Sequence, residues 1–261
     1  MIRPTGISAL RDACPWPQQR PGEPPIDWAL DAGGRQTLVD IIRERRMKVV
    51  VEVGVFLGGS VRRWLSAHDD VIVIAVDIWP ALSSIDLYDS NRKQPDWVNR
   101  QLTAYPEAFY RTFLSTNWEW RDRLILLRQT GVEALQTIAD AGVQPDLIYL
   151  DGDKSGAELT LAQSLFPSAL LAGDDWYFIG AEPKGLATDE DYPIRKPVYA
   201  ACANGDRYLL IDRSTWVILD EPPAWTRRLY FETKHHLKSG VRRMKDAGRL
   251  WWRRRKERNC A

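Results

Sequence analysis

The sequence predicts an α/β fold built on a mostly parallel β-sheet with helices on both faces. Three observations lead to it. First, five short apolar runs, near residues 49–53, 71–76, 124–127, 147–150 and 169–172, are separated by longer segments of helical character. Continuous apolar runs of this length suit strands buried on both faces, and strand–helix alternation implies a parallel sheet. Second, a glycine-rich turn from Gly54 to Gly59 leaves the first run and leads into a helix. Third, two acidic clusters, Asp151-Gly152-Asp153-Lys154 and Asp174-Asp175, follow the fourth and fifth runs. Carboxylates just past parallel strands gather at the sheet's carboxyl edge, where open α/β folds bind ligands.

Residues 1–27 carry Pro15, Pro17, Pro21, Pro24 and Pro25 and are expected to form an irregular arm. A helix is expected from about Gly34 to Arg46, with Leu38, Ile41 and Ile42 inward. After the strand at 49–53, Gly54, Gly58 and Gly59 permit a tight turn and close approach of backbone to a ligand. Ser60 is the expected N-cap of a helix through Val61, Trp64 and Leu65. The second strand ends in Asp77, placed beyond the glycine turn where an acid can bind ribose hydroxyls. The spacing here is G-x-x-x-G-G, not the G-x-G-x-x-G of dinucleotide-binding turns. Glu52 also disfavours a bound phosphate and suits a cationic or neutral ligand such as an aminoacyl sulfonium.

From about 78 to 123 runs an aromatic-rich insertion with nine aromatic residues between Trp79 and Trp120. It divides between cap and core: aromatic faces suit sugar rings and phenols, while Phe109 and Phe113 fall near core helical spacing. After the third strand, Gln129 or Thr130 is placed to bond a ligand, and Thr130 equally suits a helix N-cap. The final pair of runs, 207–211 and 215–219 around Asp212-Arg213-Ser214, reads as a hairpin.

Clustered carboxylates repel unless a cation joins them or protons are retained. Hard oxygen ligands with room for water suit Mg²⁺. Solvated turns are the plainer reading of the same residues.

Several segments resemble the class I S-adenosylmethionine-dependent methyltransferases. Glu52-Val-Gly54-Val-Phe56-Leu-Gly58-Gly59-Ser60 is similar to their first motif, and Asp77 sits where they place a ribose-binding acid. Asp146-Leu-Ile-Tyr-Leu-Asp151-Gly-Asp153-Lys154 and Gly173-Asp174-Asp175-Trp176 resemble the fourth- and fifth-strand motifs of metal-dependent O-methyltransferases. The similarity is greatest to the subgroup of macrolide- and aminocoumarin-sugar O-methyltransferases and cephalosporin hydroxylase-like proteins. Catechol and caffeoyl-CoA enzymes are similar at the same places. The motifs cover about residues 38–220.

The resemblance implies a Rossmann-like class I methyltransferase fold with a mostly parallel seven-stranded sheet and an antiparallel C-terminal hairpin. It implies a methyltransferase domain over 28–222, between the arm of 1–27 and an extension of 223–261. The implied cofactors are S-adenosyl-L-methionine and a divalent metal, Mg²⁺. The implied cofactor-binding set is Glu52, Gly54, Phe56, Gly58, Gly59, Ser60, Asp77, Ile78, Trp79, Gln129, Thr130 and Asp151. Asp151, Asp174 and Asp175 are the implied metal ligands. Asp153 matches the proposed base of the sugar enzymes, and Lys154 the catalytic lysine of catechol-type enzymes. Asp153 suits a sugar hydroxyl and Lys154 a phenol. Arg128-Gln129-Thr130 departs from the family's usual Gly-Asp-Ser beside adenine, and the sugar subgroup often has His at the position of Lys154. The expected partner is a small-molecule hydroxyl acceptor, a sugar, glycoside or phenol; a homo-oligomer is compatible with the same reading.

Two other classes stand beside this one: a nicotinamide-dependent oxidoreductase, disfavoured by the loop spacing and Glu52, and a non-catalytic binding protein with a basic docking tail. Arg227–Ala261 carries 13 Lys or Arg against 3 Asp or Glu, a net +10; the whole chain is +1, so residues 1–226 carry −9. Trp251 and Trp252 interleave with the basic residues. Such a tail suits either an anionic surface or a clasp on the acidic body. Cys14, Cys202 and Cys260 are scattered, which argues against a disulfide scaffold and fits a reducing, cytoplasmic compartment. No apolar run approaches the length of a membrane span, and no signal-peptide pattern opens the chain.

Overall fold

Seven strands form one sheet in the order β3-β2-β1-β4-β5-β7-β6. They are β1 (Val49–Val53), β2 (Ile72–Val76), β3 (Leu124–Leu127), β4 (Leu147–Leu150), β5 (Leu170–Gly173), β6 (Tyr208–Asp212) and β7 (Thr215–Leu219). Strands β1 to β5 pair in parallel, and β6 and β7 pair antiparallel. This is the mostly parallel sheet with a terminal hairpin of the Rossmann-like methyltransferase fold. The computed structural model describes residues 6–22, 35–79, 107–179, 188–203 and 207–221. The basic tail, most of the aromatic insertion and the junction at 28–34 lie outside the described residues.

The five parallel strands form where the apolar runs lie, and these are buried along nearly all their length. β3, β4 and β5 are buried throughout, as is β1 from Val50 on. Two compact units make up the chain. One holds the residues through Asp153 together with Ala157–Gly173; the other holds Lys154–Gly156 and the chain from Asp174 on.

In the first unit, α2 (Gln36–Arg45) packs on α3 (Gly59–Leu65), and α5 (Gly131–Asp140) packs on α6 (Ala157–Leu165). Strand order reverses direction at β1, so right-handed crossovers send these two pairs to opposite faces of the parallel strands. The same reversal opens a crevice between the carboxyl ends of β1 and β4, the switch point where such sheets bind ligands. Leu38, Ile41 and Ile42 of α2 are buried, as the spacing predicts. Phe109 and Phe113 lie buried on α4 (Ala108–Thr116), so this part of the insertion is core.

The arm departs from expectation. Gly6–Ala13 forms α1, and among the described residues of the arm the proline-bearing stretch of 14–22 lacks regular structure. Pro4 stands before the helix and Pro15 after it, so no proline interrupts it. Trp16 Nε1 donates to the Leu124 carbonyl at 3.1 Å, and Arg11 and Arg20 donate to the carbonyls of Asp122 and Ser115. These contacts tie the arm to the edge strand β3, to the turn before it and to the helix of residues 108–116.

In the second unit, α7 (Arg195–Ala203) accompanies the β6–β7 hairpin, and the turn is two residues, Arg213 and Ser214, with Arg213 at φ 59°. A short turn with a left-handed residue suits the twist of paired strands. No helix among the described residues is long and apolar enough to cross a membrane.

Candidate functional site

The glycine turn leaves β1 with two residues that require glycine. Gly54 lies at φ 84°, and a Cβ there would stand 2.7 Å from the backbone of Asp151. The turn therefore runs against the exit of β4. Gly58, at φ 82°, precedes α3, and a Cβ there would strike Asn117 and Phe113. Phe56 between them also has positive φ, 51°, without being glycine. Its backbone is held on both sides: Asp77 Oδ2 accepts from Phe56 N at 2.8 Å, and Trp79 Nε1 donates to the Phe56 carbonyl at 2.7 Å.

Ser60 does not cap α3. Gly58 takes the cap position, Gly59 is the first helical residue, and the Ser60 hydroxyl donates to Glu52. Glu52 is fully buried, and its other oxygen accepts from Trp64 Nε1 at 2.7 Å. Both carboxylate oxygens thus meet donors from α3. Burial pushes the Glu52 carboxyl up to about 7, against the lowering influence of Arg35 and of its two hydrogen bonds.

Asp77 closes β2. Its second oxygen accepts from Trp79 N at 2.7 Å. Burial raises the Asp77 carboxyl above its ordinary value, and backbone N–H groups of Trp79, Phe56 and Ile78 offset part of that. Ile78 is exposed, whereas the Trp79 ring is buried at about 5 Å from the rings of Tyr110 and Phe113. Arg128, just past β3, donates to the carbonyls of Ile78 and Trp79 and pairs with Glu107 at 2.6 Å. It replaces the small residue expected there and fixes the backbone beside Asp77.

Gln129 follows, with a buried side-chain oxygen that has no hydrogen-bond partner among the described residues. A buried acceptor left unpaired is costly, so this atom marks a place for a donor. Thr130 is the N-cap of α5, with a full capping box to Glu133. Thr130→Ala is expected to lower stability by about 1 kcal/mol, measured as a shift in the urea unfolding midpoint. An unchanged midpoint would show that the cap contributes nothing.

At β4, Tyr149 is buried and Asp151 is half-buried. Arg35, the residue before α2, reaches both. Its Nε donates to the Tyr149 hydroxyl at 2.9 Å and its Nη2 to Asp151 Oδ2 at 3.2 Å. The Arg35 side chain is only 8% exposed. Sequence reasoning missed Arg35 because its partners lie 114 and 116 positions away. Glu158 was missed as well: buried on α6, it accepts from Asp153 N at 3.1 Å and fixes the turn that carries Asp153. The Asp153 residue itself is exposed.

In the second unit, Asp174 accepts from the Ser214 hydroxyl and from Asp175 N, and its carbonyl accepts from Trp216 Nε1 at 3.0 Å. Asp175 has φ 62° and pairs with Lys154 Nζ at 3.1 Å. Arg195 lies over the rings of Trp176, Tyr177 and Tyr192 and donates to the Trp176 carbonyl. Asp151, Asp174 and Asp175 offer the hard oxygens a divalent cation prefers. Yet each already has a protein partner, and among the described residues no three His, Cys, Asp or Glu side chains are placed to hold a metal ion. These carboxylates as placed therefore do not fit a divalent metal.

No protein-family model matches the chain, and no curated protein matches it. Among solved structures it is similar to the O-methyltransferase TomG of Streptomyces achromogenes, in complex with S-adenosylmethionine, at 15% identity and a TM-score of 0.46 over 75% of this chain and 83% of that one. It is similar to an O-methyltransferase of Bacillus cereus in complex with S-adenosylhomocysteine, at 16% identity and a TM-score of 0.45 over 74% and 84%. It is also similar to the MycE methyltransferase of the mycinamycin pathway, in complex with Mg, S-adenosylhomocysteine and mycinamycin VI, at 16% identity and a TM-score of 0.46 over 85% and 58%.

Proposed function

We propose that the chain is an S-adenosylmethionine-dependent O-methyltransferase acting on a hydroxyl of a sugar, glycoside or other small natural-product acceptor. One observation carries this reading: three complementary groups stand at the ends of β1, β2 and β3. They are the glycine turn held by Asp77, the Asp77 carboxylate itself, and the buried oxygen of Gln129, which has no partner among the described residues. A carboxylate past β2 suits ribose hydroxyls. An amide oxygen past β3 suits the exocyclic amino group of adenine.

Bound S-adenosylmethionine supplies an electrophilic methyl group on a cationic sulfonium. Held by the glycine turn, Asp77 and Gln129, it would present that methyl carbon to the acceptor oxygen, with sulfur taking the electron pair of the broken carbon–sulfur bond. The hydroxyl proton passes to a base on this chain. Asp153 is the favoured base, because its turn is fixed by Glu158 and its residue is open to solvent. An ammonium paired with a carboxylate has no lone pair for a proton, and Lys154 is so paired with Asp175. Catalysis then rests on positioning and general-base help.

Calorimetry with S-adenosylhomocysteine, and with a nicotinamide dinucleotide as comparison, tests the reading. Binding of the first and not the second is expected. Gln129→Leu is expected to weaken that binding by about 1 kcal/mol, the worth of one hydrogen bond. Folded protein that binds no S-adenosylhomocysteine would rule the function out.

A further inference from the structure

We infer that Arg35 stands in for a metal ion at Asp151, so that the methyl-transfer site proposed above works without a divalent cation. The inference rests on that reading of the site and concerns its charge balance. Asp151 is the carboxylate at the switch point of the sheet, and its Oδ2 accepts from Arg35 at 3.2 Å. The guanidinium cannot swing aside without loss. Its Nε is bonded to the Tyr149 hydroxyl at 2.9 Å, it lies 5.4 Å from the centre of the Tyr149 ring, and Tyr149 is itself buried in the middle of the sheet.

A divalent cation on Asp151 would meet this fixed positive charge at close range in a poorly solvated place. Like charges there repel far more strongly than in water. Withdrawing Asp151 from Arg35 would instead strip a buried guanidinium of its carboxylate partner, a costly change. A second carboxylate that feels Arg35, Glu52, is already engaged by Ser60 and Trp64. The second acidic cluster has the same character by itself: Lys154 pairs with Asp175, and Ser214 and Asp175 N bond Asp174. The charge that a metal would neutralise at Asp151 is thus already neutralised by Arg35.

The experiment titrates Mn²⁺ and Mg²⁺ into chelator-washed full-length protein, with and without saturating S-adenosylhomocysteine. It reads binding by calorimetry and by loss of the free Mn²⁺ electron paramagnetic resonance signal. The wild-type protein is expected to bind neither ion stoichiometrically at millimolar concentration, and S-adenosylhomocysteine affinity is expected to stay the same in excess chelator. Arg35→Met, which keeps bulk and removes charge, is expected to gain a Mn²⁺ site; Arg35→Lys is expected to remain without one. One Mn²⁺ bound per wild-type chain and lost in Asp151→Asn would overturn the inference. A folded Arg35→Met protein that still binds no Mn²⁺ would overturn the role of Arg35. If Arg35→Met does not fold, the wild-type titration decides alone. Failure to bind S-adenosylhomocysteine would instead strike the methyltransferase reading, and the metal titration separates the two.

Discussion

Glu52→Gln is expected to flatten the pH dependence of stability between about pH 4.5 and pH 7, a difference of about 3 kcal/mol from one side chain. Glu52 is fully buried and its carboxyl is raised from 4.5 to about 7, chiefly by burial. An acid raised in the folded state holds its proton there while the unfolded chain has already lost it. Its contribution is therefore fully present below about pH 4.5 and is lost as pH rises through about 7. Glutamine mimics the protonated side chain. Its oxygen accepts from Trp64 Nε1 and its amino group donates to the Ser60 hydroxyl, which turns to accept. The variant should match wild type at low pH and exceed it by about 3 kcal/mol above neutrality. Urea unfolding of both proteins across this range checks it. Parallel stability curves for the two proteins would show that Glu52 does not titrate as its burial requires.

Asp77→Ala is expected to weaken S-adenosylhomocysteine binding by about 1–3 kcal/mol, roughly fivefold to more than a hundredfold. Two losses combine. The charged acceptor for ribose hydroxyls disappears, and so does the anchor for Phe56 N and Trp79 N, which hold the glycine turn. Asp77→Asn is expected to lose most of the same affinity. Both carboxylate oxygens accept from N–H groups, and an asparagine offers only one oxygen while turning an N–H toward the other donor. Calorimetric titration of the folded variants gives the comparison, and wild-type affinity in Asp77→Ala would remove Asp77 from the site.

The five parallel strands and the hairpin were legible because burial on both faces leaves continuous apolar runs, and turn residues bound them. Observed strand ends fall within one or two residues of those read from the chain, as β2 (Ile72–Val76) and β5 (Leu170–Gly173) illustrate. The glycine turn was legible because positive φ at Gly54 and Gly58 leaves a mark in composition. Thr130 as a cap was legible for a similar reason: a capping box is local, and Glu133 lies three residues on. The α1 helix was hidden by the prolines around it, which lie outside Gly6–Ala13.

Ser60 shows the limit of local pattern. A serine after glycines reads as a cap, but the helix starts one residue earlier, at Gly59, and the hydroxyl turns to Glu52. Likewise an acid inside a β1 run reads as facing a ligand, yet the Glu52 oxygens meet α3.

By itself the sequence determined the architecture: which segments are strands, where the chain must turn, and that acids and glycines follow the strand ends. These depend on burial pattern and backbone preference, which each segment carries within itself. The tertiary structure decided which charge answers which. Arg35 meets Asp151 and Tyr149, Glu158 holds Asp153, Lys154 takes Asp175, and Gln129 keeps a buried oxygen unpaired among the described residues. Most of these partners lie far apart in the chain, and even neighbouring groups pair only as the folded backbone directs their side chains. Electrostatic pairing depends on distance and burial in space, and only the folded sheet sets those.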